Sequence, residues 1–430
     1  MAEESPGVTA DFSASYKRFA LAMLTAVYAL NFIDRQILVI LQEPIKAEMG
    51  LSDAQLGLLS GFAFAVVYVV AGIPIAYWAD RGNRRNVVSL AVAVWSGMTA
   101  LSGMAQNYSQ LLLARVGVGL GEAGGSPPAH SMISDYYPPE QRATALSIYS
   151  SGIYLGILLG FLFGGVIAEA FGWRIAFMVV GIPGVIFGLI LRFALKEPQR
   201  GRWEHVSATA EKPGLKETLA LLRDRPSFWY LALGSAFISY VSYGNGNFVP
   251  SFLMRNHGMS LAEVGTSLAL VSGLSGAIGT FAGGYLADRY GRNDMRWYVW
   301  IPLLGIALGY FPYAYVLLTD NTSAALGVLF FALILKTFYL GPCIALAHTL
   351  VAPGMRALTS AILFFVLNMI GLGLGPFITG LISDLLQPAY GDESLRYAML
   401  TTLQASLIAI AMFLMAAKHL PADLAKSRHG

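Results

Sequence analysis

Apolar windows as long as a bilayer-crossing helix recur along nearly the whole chain. At about 1.5 Å of rise per residue, a helix needs roughly 20 such residues to cross the hydrocarbon. Twelve windows meet that length, at approximately 17–41, 54–79, 86–105, 108–134, 141–169, 173–195, 227–254, 262–287, 297–318, 324–350, 357–385 and 395–417. The pattern predicts an all-α membrane protein of twelve transmembrane helices, with no β-sheet of consequence. The first window is no signal peptide. It follows Tyr16-Lys17-Arg18, is too long, and holds Asp34-Arg35 where a signal sequence is apolar.

Charges interrupt this pattern at few places. Asp34 and Arg35 fall inside span one, Arg115 and Glu122 inside span four, and Lys336 about twelve residues into span ten. A charge at mid-bilayer costs roughly 2.5–3.5 kcal/mol on insertion scales, so it faces a partner or a watery cavity. Residues seven apart on a helix lie within about 20° and roughly 10.5 Å of each other. Arg115 and Glu122 therefore share one face. Asp34 and Arg35 are about 100° apart, so one is expected to face cargo and the other a neighbouring helix.

Composition agrees with a membrane protein. The chain is 56% hydrophobic and 12% charged, against about 25% charged in soluble domains. Of the 28 Lys and Arg residues, three lie inside spans (Arg35, Arg115, Lys336). Four (Lys46, Arg174, Arg255, Arg396) lie in segments on one side, leaving 21 on the side of both termini. That bias predicts cytoplasmic termini in a cell (inner) membrane protein. The net charge of +3 is thus a topology signal and implies no nucleic acid. The single cysteine, Cys343, excludes an internal disulfide.

Two echoes divide the chain. Ser52, Ala54, Gly57 and Asp80-Arg81 return as Ser260, Ala262, Gly265 and Asp288-Arg289. Pro139, Arg142 and Ala143 return as Pro353, Arg356 and Ala357. Both offsets approach half the length, which predicts two pseudo-symmetric six-helix bundles at 17–195 and 227–417. A cytoplasmic tail (1–16), a basic linker (196–226) and a second tail (418–430) complete the chain. Parallel repeats with a site at their interface are a transporter architecture. Spans one, four, seven and ten are expected to line the cavity.

The loop Gly284-Tyr-Leu-Ala-Asp288-Arg289-Tyr-Gly291-Arg292 and the sequence Arg115-Val-Gly-Val-Gly119 in span four resemble the major facilitator superfamily. The first loop copy, Ala76-Tyr-Trp-Ala-Asp80-Arg81-Gly82-Asn83-Arg84-Arg85, departs from the pattern at both glycines. A narrower resemblance, to the Spinster branch that moves lysolipids and sphingosine-1-phosphate, rests on three segments. They are Asn31-Phe32-Ile33-Asp34-Arg35, Asp80-Arg81-Gly82-Asn83-Arg84 and Arg115-Val-Gly-Val-Gly119-Leu-Gly121-Glu122-Ala123. Organic-anion symporters of the superfamily share an Asn-x-x-Asp-Arg in span one. The resemblance implies a cytoplasmic gate of Asp80, Arg81, Arg84, Arg142, Asp288, Arg289, Arg292 and Arg356, with Asp80 facing the start of span eleven.

The chemistry expected of these residues is anion transport. Arg35, whose planar fork suits a phosphate or carboxylate, is expected to hold a headgroup. Glu122 and Asp34 are the proton-responsive carboxylates, and Arg115 is expected to orient Glu122. Lys336 is a candidate anion contact, though a lysine near a span end also snorkels. Tyr68 and Phe364 are the aromatic contacts named for an acyl chain, among Phe62, Phe64, Phe248 and Phe365. The run Ser239–Asn247 in span seven reads as a flexible gate. Pro127-Pro128 are expected to bend span four, and the glycines of span five to pack helices closely.

The reading is a proton-coupled secondary transporter of an amphipathic anionic lipid, such as a lysophospholipid or a sphingosine-1-phosphate-like molecule. The alternative is a proton symporter of small organic anions. No phosphate-binding Gly-x-x-x-x-Gly-Lys-Ser/Thr exists to make ATP its fuel. No His-x-x-x-His or Gly-x-Ser-x-Gly suggests an enzyme. No cofactor or metal is expected. The partners are an amphipathic anion, protons and the bilayer, and a monomer is expected.

Overall fold

The computed structural model describes residues 12–203 and 214–429, among which there is no strand. The N-terminal residues 1–11 and Lys212 of the basic linker lie outside the described residues. Twelve spans form two pseudo-symmetric six-helix bundles. In the first half they are Ala14–Ile40, Asp53–Arg81, Arg84–Ser102, Tyr108–Glu122 with Ser126–Tyr136, Pro139–Phe171 and Trp173–Ala194. In the second they are Pro226–His257, Leu261–Gly291, Trp297–Leu318, Thr322–Thr349, Arg356–Tyr390 and Ser394–His429. Eight stretches are long and apolar enough to cross a membrane, and one of these, Arg356–Lys426, contains two spans. Helix is the outcome because hydrocarbon offers the backbone no other partner.

Local chemistry sets the ends. Ser13, Asn83, Asn107 and Asn321 each cap a span by accepting a backbone N–H three residues on. Gly50 and Gly258 end helices at φ 64°, a left-handed conformation that suits glycine. The span-five glycines pack closely against span one. A Cβ at Gly156 would lie 2.4 Å from the Ala29 carbonyl oxygen, and one at Gly152 2.7 Å from that of Thr25.

Several expectations change at the breaks. Span four stops at Glu122, turns over Ala123–Gly125 and restarts at Ser126. Pro127 and Pro128 therefore sit in a first turn, where no helical donor is lost, and bend nothing. Span seven runs helical through Ser239–Asn247, with Asn245 donating to the Met399 carbonyl at 3.2 Å, so that run is no break. Span ten tightens into a 3₁₀ turn over Thr337–Tyr339, and span eleven carries a π-helical stretch over Asn368–Leu374. The second tail continues span twelve as helix. Its Asp423 accepts the Ser227 N–H at 2.9 Å and pins the start of span seven.

Arg84 has a different job from the gate role expected of it. It is 2% exposed and spends its donors inside the first half, on Glu197 (2.7 Å), Ser131 (2.8 Å), the Pro198 carbonyl (2.8 Å) and Asp135. It anchors the chain leaving span six beneath spans three and four. Removing one partner of a buried ion pair costs about 3–5 kcal/mol. Arg84→Ala is therefore expected to lower the melting temperature in detergent by several degrees, and Arg84→Lys by less. An unchanged melting curve for Arg84→Ala would contradict this anchor.

Candidate functional site

Span one presents Arg35 to a cavity of about 230 Å³ between the halves. The first half lines it with Phe32, Arg35, Gln36, Phe64, Arg115 and Tyr154 among others. The second half contributes Ser242, Asn247, Ser275, Lys336, Thr337 and Leu372. The wall thus includes spans two, five, eight and eleven besides the expected one, four, seven and ten. Gln36, Tyr154 and Ser275 were passed over in the sequence, because a lone polar residue on a long apolar helix carries no signal of which way it points.

Arg35 is paired. Its Nε and Nη2 each lie 2.8 Å from Oε2 of Glu122, whose side chain is fully buried. Its guanidinium also lies over the rings of Phe64 (4.9 Å), Phe32 (5.2 Å) and Tyr68 (5.4 Å). Local spacing explains this cage. Phe32 sits one turn before Arg35, while Phe64 and Tyr68, four apart on span two, stack at 5.7 Å. The partner of Glu122 is therefore Arg35, and the expectation that Arg115 orients Glu122 is corrected. The helical break after Glu122 places its carboxylate beside span one.

The other charged groups separate into two kinds. Asp34 is 2% exposed, off the cavity wall and within electrostatic reach of Glu122, with its Oδ1 unpartnered. The 100° between Asp34 and Arg35 sends one inward and the other into the bundle, as expected. Arg115 does line the cavity, is 2% exposed, and keeps Nε and Nη1 unpartnered. Lys336, the last residue before the 3₁₀ turn, lines it from the other half, its Nζ 5.5 Å from the Tyr313 ring. Two cations without an ion pair among the described residues thus face one space from opposite halves.

The aromatic expectations mostly fail. Of those named, only Phe64 lines the cavity. Tyr68 backs Arg35, Phe248 is core, and Phe364 is 38% exposed and off the wall. Sequence could not tell these apart, because an apolar ring suits core, cavity and lipid equally.

The expected gate residues lie at the face bearing the termini, where the structure brings none of them together across the halves. Arg142 bonds the Ser134 and Tyr137 carbonyls at 3.0 and 3.2 Å. Asp288 takes the Tyr298 hydroxyl at 2.7 Å, Arg289 reaches Tyr285, and Arg81 stacks on Tyr77 at 3.7 Å. Asp80, Arg292 and Arg356 are exposed, and among the described residues no hydrogen bond or ion pair joins the Asp80 side chain to span eleven. Arg200 from the linker instead binds the Ala79 and Gly82 carbonyls at 2.5 Å, and that of Asp80. The halves are joined at the opposite, far face. There Arg255 of span seven holds Glu43 (2.6 Å) and Asp53 (2.7 Å) of the first half. Sequence reasoning overlooked this cluster, although Arg255 is one of only four cations placed on that side.

Comparisons with known proteins agree with this architecture. The profile of the Major Facilitator Superfamily matches residues 24–376. An MFS-type efflux pump of Mycolicibacterium smegmatis is 38% identical over 89% of this chain and 88% of its own. A probable L-galactonate transporter of Escherichia coli is 26% identical over 85% of this chain and 83% of its own. A crystal structure of a bacterial homologue of the human lysosomal transporter Spinster, inward-facing and unoccupied, superposes with TM-score 0.87. It is 34% identical and covers 96% of this chain and 99% of that one.

The Arg35–Glu122 pair makes a quantitative prediction. Groups in one buried pair couple by about 0.5–3 kcal/mol in a double-mutant cycle. Arg35→Ala and Glu122→Gln should each lower the melting temperature, and the double variant should lose less than their sum. Strict additivity would show that the two side chains act independently.

Proposed function

Since the chain belongs to the major facilitator superfamily, in its Spinster branch, and is therefore a transporter, we propose that it moves an amphipathic anion by proton-coupled alternating access. The cargo class is a lysophospholipid or a sphingosine-1-phosphate-like lipid. One observation carries the reading: Arg115 is buried at the wall of the cavity between the halves with two donors unpartnered. A buried guanidinium without an ion pair is costly, and an anion in the cavity supplies a counter-charge beside it. Lys336 meets the same anion from the other half, so cargo draws the halves together. Phe32, Phe64, Leu372 and their neighbours give the apolar part of the cargo a wall.

Proton coupling follows from the pair behind that wall. Cargo that draws Arg35 off Glu122 leaves a buried carboxylate without its counter-charge, and such a group takes up a proton. Asp34, one helix face away, is the second carboxylate able to share it. In this reading the far face is the outside, the termini are cytoplasmic in an inner membrane, and the conformation is inward-facing. The charges left apart at the termini face, Asp80 and Asp288 with Arg142 and Arg356, latch the halves when that face closes.

A second reading, proton symport of a small organic anion, is favoured by the neutral polar lining of Ser242, Asn247, Ser275 and Thr337. Reconstituted protein given lysolipids and short organic acids, with and without a pH gradient, separates the two. Long-chain uptake is expected, reduced about tenfold or more in Arg115→Ala and less in Arg115→Lys, which keeps charge but loses the fork. Glu122→Gln is expected to bind cargo without the pH dependence of the wild type. Uptake confined to short acids would replace the lipid reading with the second. Wild-type pH dependence in Glu122→Gln would leave Asp34 as the coupling carboxylate.

A further inference from the structure

The repeated element Ser52-x-Ala54-x-x-Gly57 and Ser260-x-Ala262-x-x-Gly265 opens spans two and eight at the far face. Each serine heads a capping box. Ser52 and Ser260 accept the N–H groups of Gln55 and Glu263 at 3.2 and 3.3 Å. The Gln55 and Glu263 side chains answer at 2.9 and 2.8 Å. A capping box satisfies two of the four orphan N–H groups at a helix start. The next two positions, Asp53 and Ala54 in one copy and Leu261 and Ala262 in the other, remain.

Those positions are served from the opposite half. Asp384 of span eleven accepts the Asp53 and Ala54 N–H groups at 2.9 and 2.8 Å. Glu169 of span five accepts that of Ala262 at 2.5 Å. Each acid stands four residues after a glycine, in Gly165-Val-Ile-Ala-Glu169 and Gly380-Leu-Ile-Ser-Asp384. Both glycines let the backbones touch. A Cβ at Gly380 would lie 2.2 Å from the Asp53 carbonyl oxygen, and one at Gly165 2.6 Å from that of Leu261. The repeat glycines answer in kind, with 2.2 Å from Gly57 to the Pro376 carbonyl oxygen and 2.6 Å from Gly265 to that of Phe161.

We infer that this repeat encodes two pseudo-symmetric latches that hold the far face shut, with Asp384 and Glu169 as the positioning residues. The glycine contact sets the approach. One turn on, the carboxylate meets the exposed donors and the positive end of the facing helix. The far face opens when both latches release. The two are unequal because position 53 is aspartate and position 261 is leucine. Asp53 adds Arg255 (2.7 Å), Lys46 (2.6 Å) and Ser383 (2.7 Å) to its seam, while Glu169 is exposed. The seam of spans two and eleven is the stronger, and that of five and eight yields first.

Alternating access gives the latches their consequence, and the inference rests on that reading. Its test uses distances in the full-length protein, without cargo. In a Cys343→Ser background in liposomes, spin labels at Met104 and Ser323 report the far face, and labels at Glu140 and Asn293 the termini face. Asp384→Ala is expected to lengthen the far-face distances and shorten those at the termini face. Glu169→Ala should do so less, the double variant most. Asp384→Asn, with one acceptor oxygen for two donors, should fall between wild type and Asp384→Ala. A merely structural role would lower the melting temperature without moving the two faces in opposite senses. Should Asp384→Ala not fold, Glu169→Ala decides the question. Wild-type distributions at both faces in the folded variants overturn the inference and leave the cargo reading standing. A cargo panel without uptake, beside shifted distances, overturns the cargo reading alone.

Discussion

A charge in hydrocarbon must be answered by another group, and most of this structure follows from how each one is answered. Arg35 and Glu122 tie span one to span four through two 2.8 Å contacts. Arg84 ties spans three and four to the chain leaving span six through Glu197 and Asp135. Arg255 ties the two halves together through Glu43 and Asp53. Each pair sits where separate helices must hold a fixed geometry. Arg115, Asp34 and the half-buried Lys336 have no ion pair among the described residues, and of these Arg115 and Lys336 line the cavity.

Glycine supplies the complementary constraint. Apolar side chains gain little by leaving lipid for another helix, so helices associate through close packing and polar contacts. Span five uses its glycines twice, against span one inside its half and against span eight across the boundary. Span eleven does the same against spans seven and two. Backbone contacts of this kind allow little partial separation, which suits halves that rock as rigid units.

The halves share a plan but not a charge distribution. Four ionisable residues sit deep in spans one and four, whereas the second half offers Lys336 and a set of neutral hydroxyls and amides. The buried carboxylates of the cavity region thus all belong to the first half, and the second half meets the cavity with one lysine and neutral polar groups.

Hydrophobic periodicity alone determined the twelve spans, and half-length repeats determined the pairing of the bundles, because both arise from local sequence facing lipid. The depth of Asp34, Arg35, Arg115 and Glu122 was legible for the same reason. Their partners were not. Whether Arg35 or Arg115 meets Glu122 depends on where span four breaks, and Pro127-Pro128, which read as a bend, stand in the first turn of a new helix. The aromatic residues were ambiguous because Phe64, Phe248 and Phe364 have identical local signals and differ only in what the tertiary fold packs against them. Asp384 and Glu169 carried no local signal at all. Each owes its role to an orphan N–H group from the other half, a contact that exists only when the two bundles close.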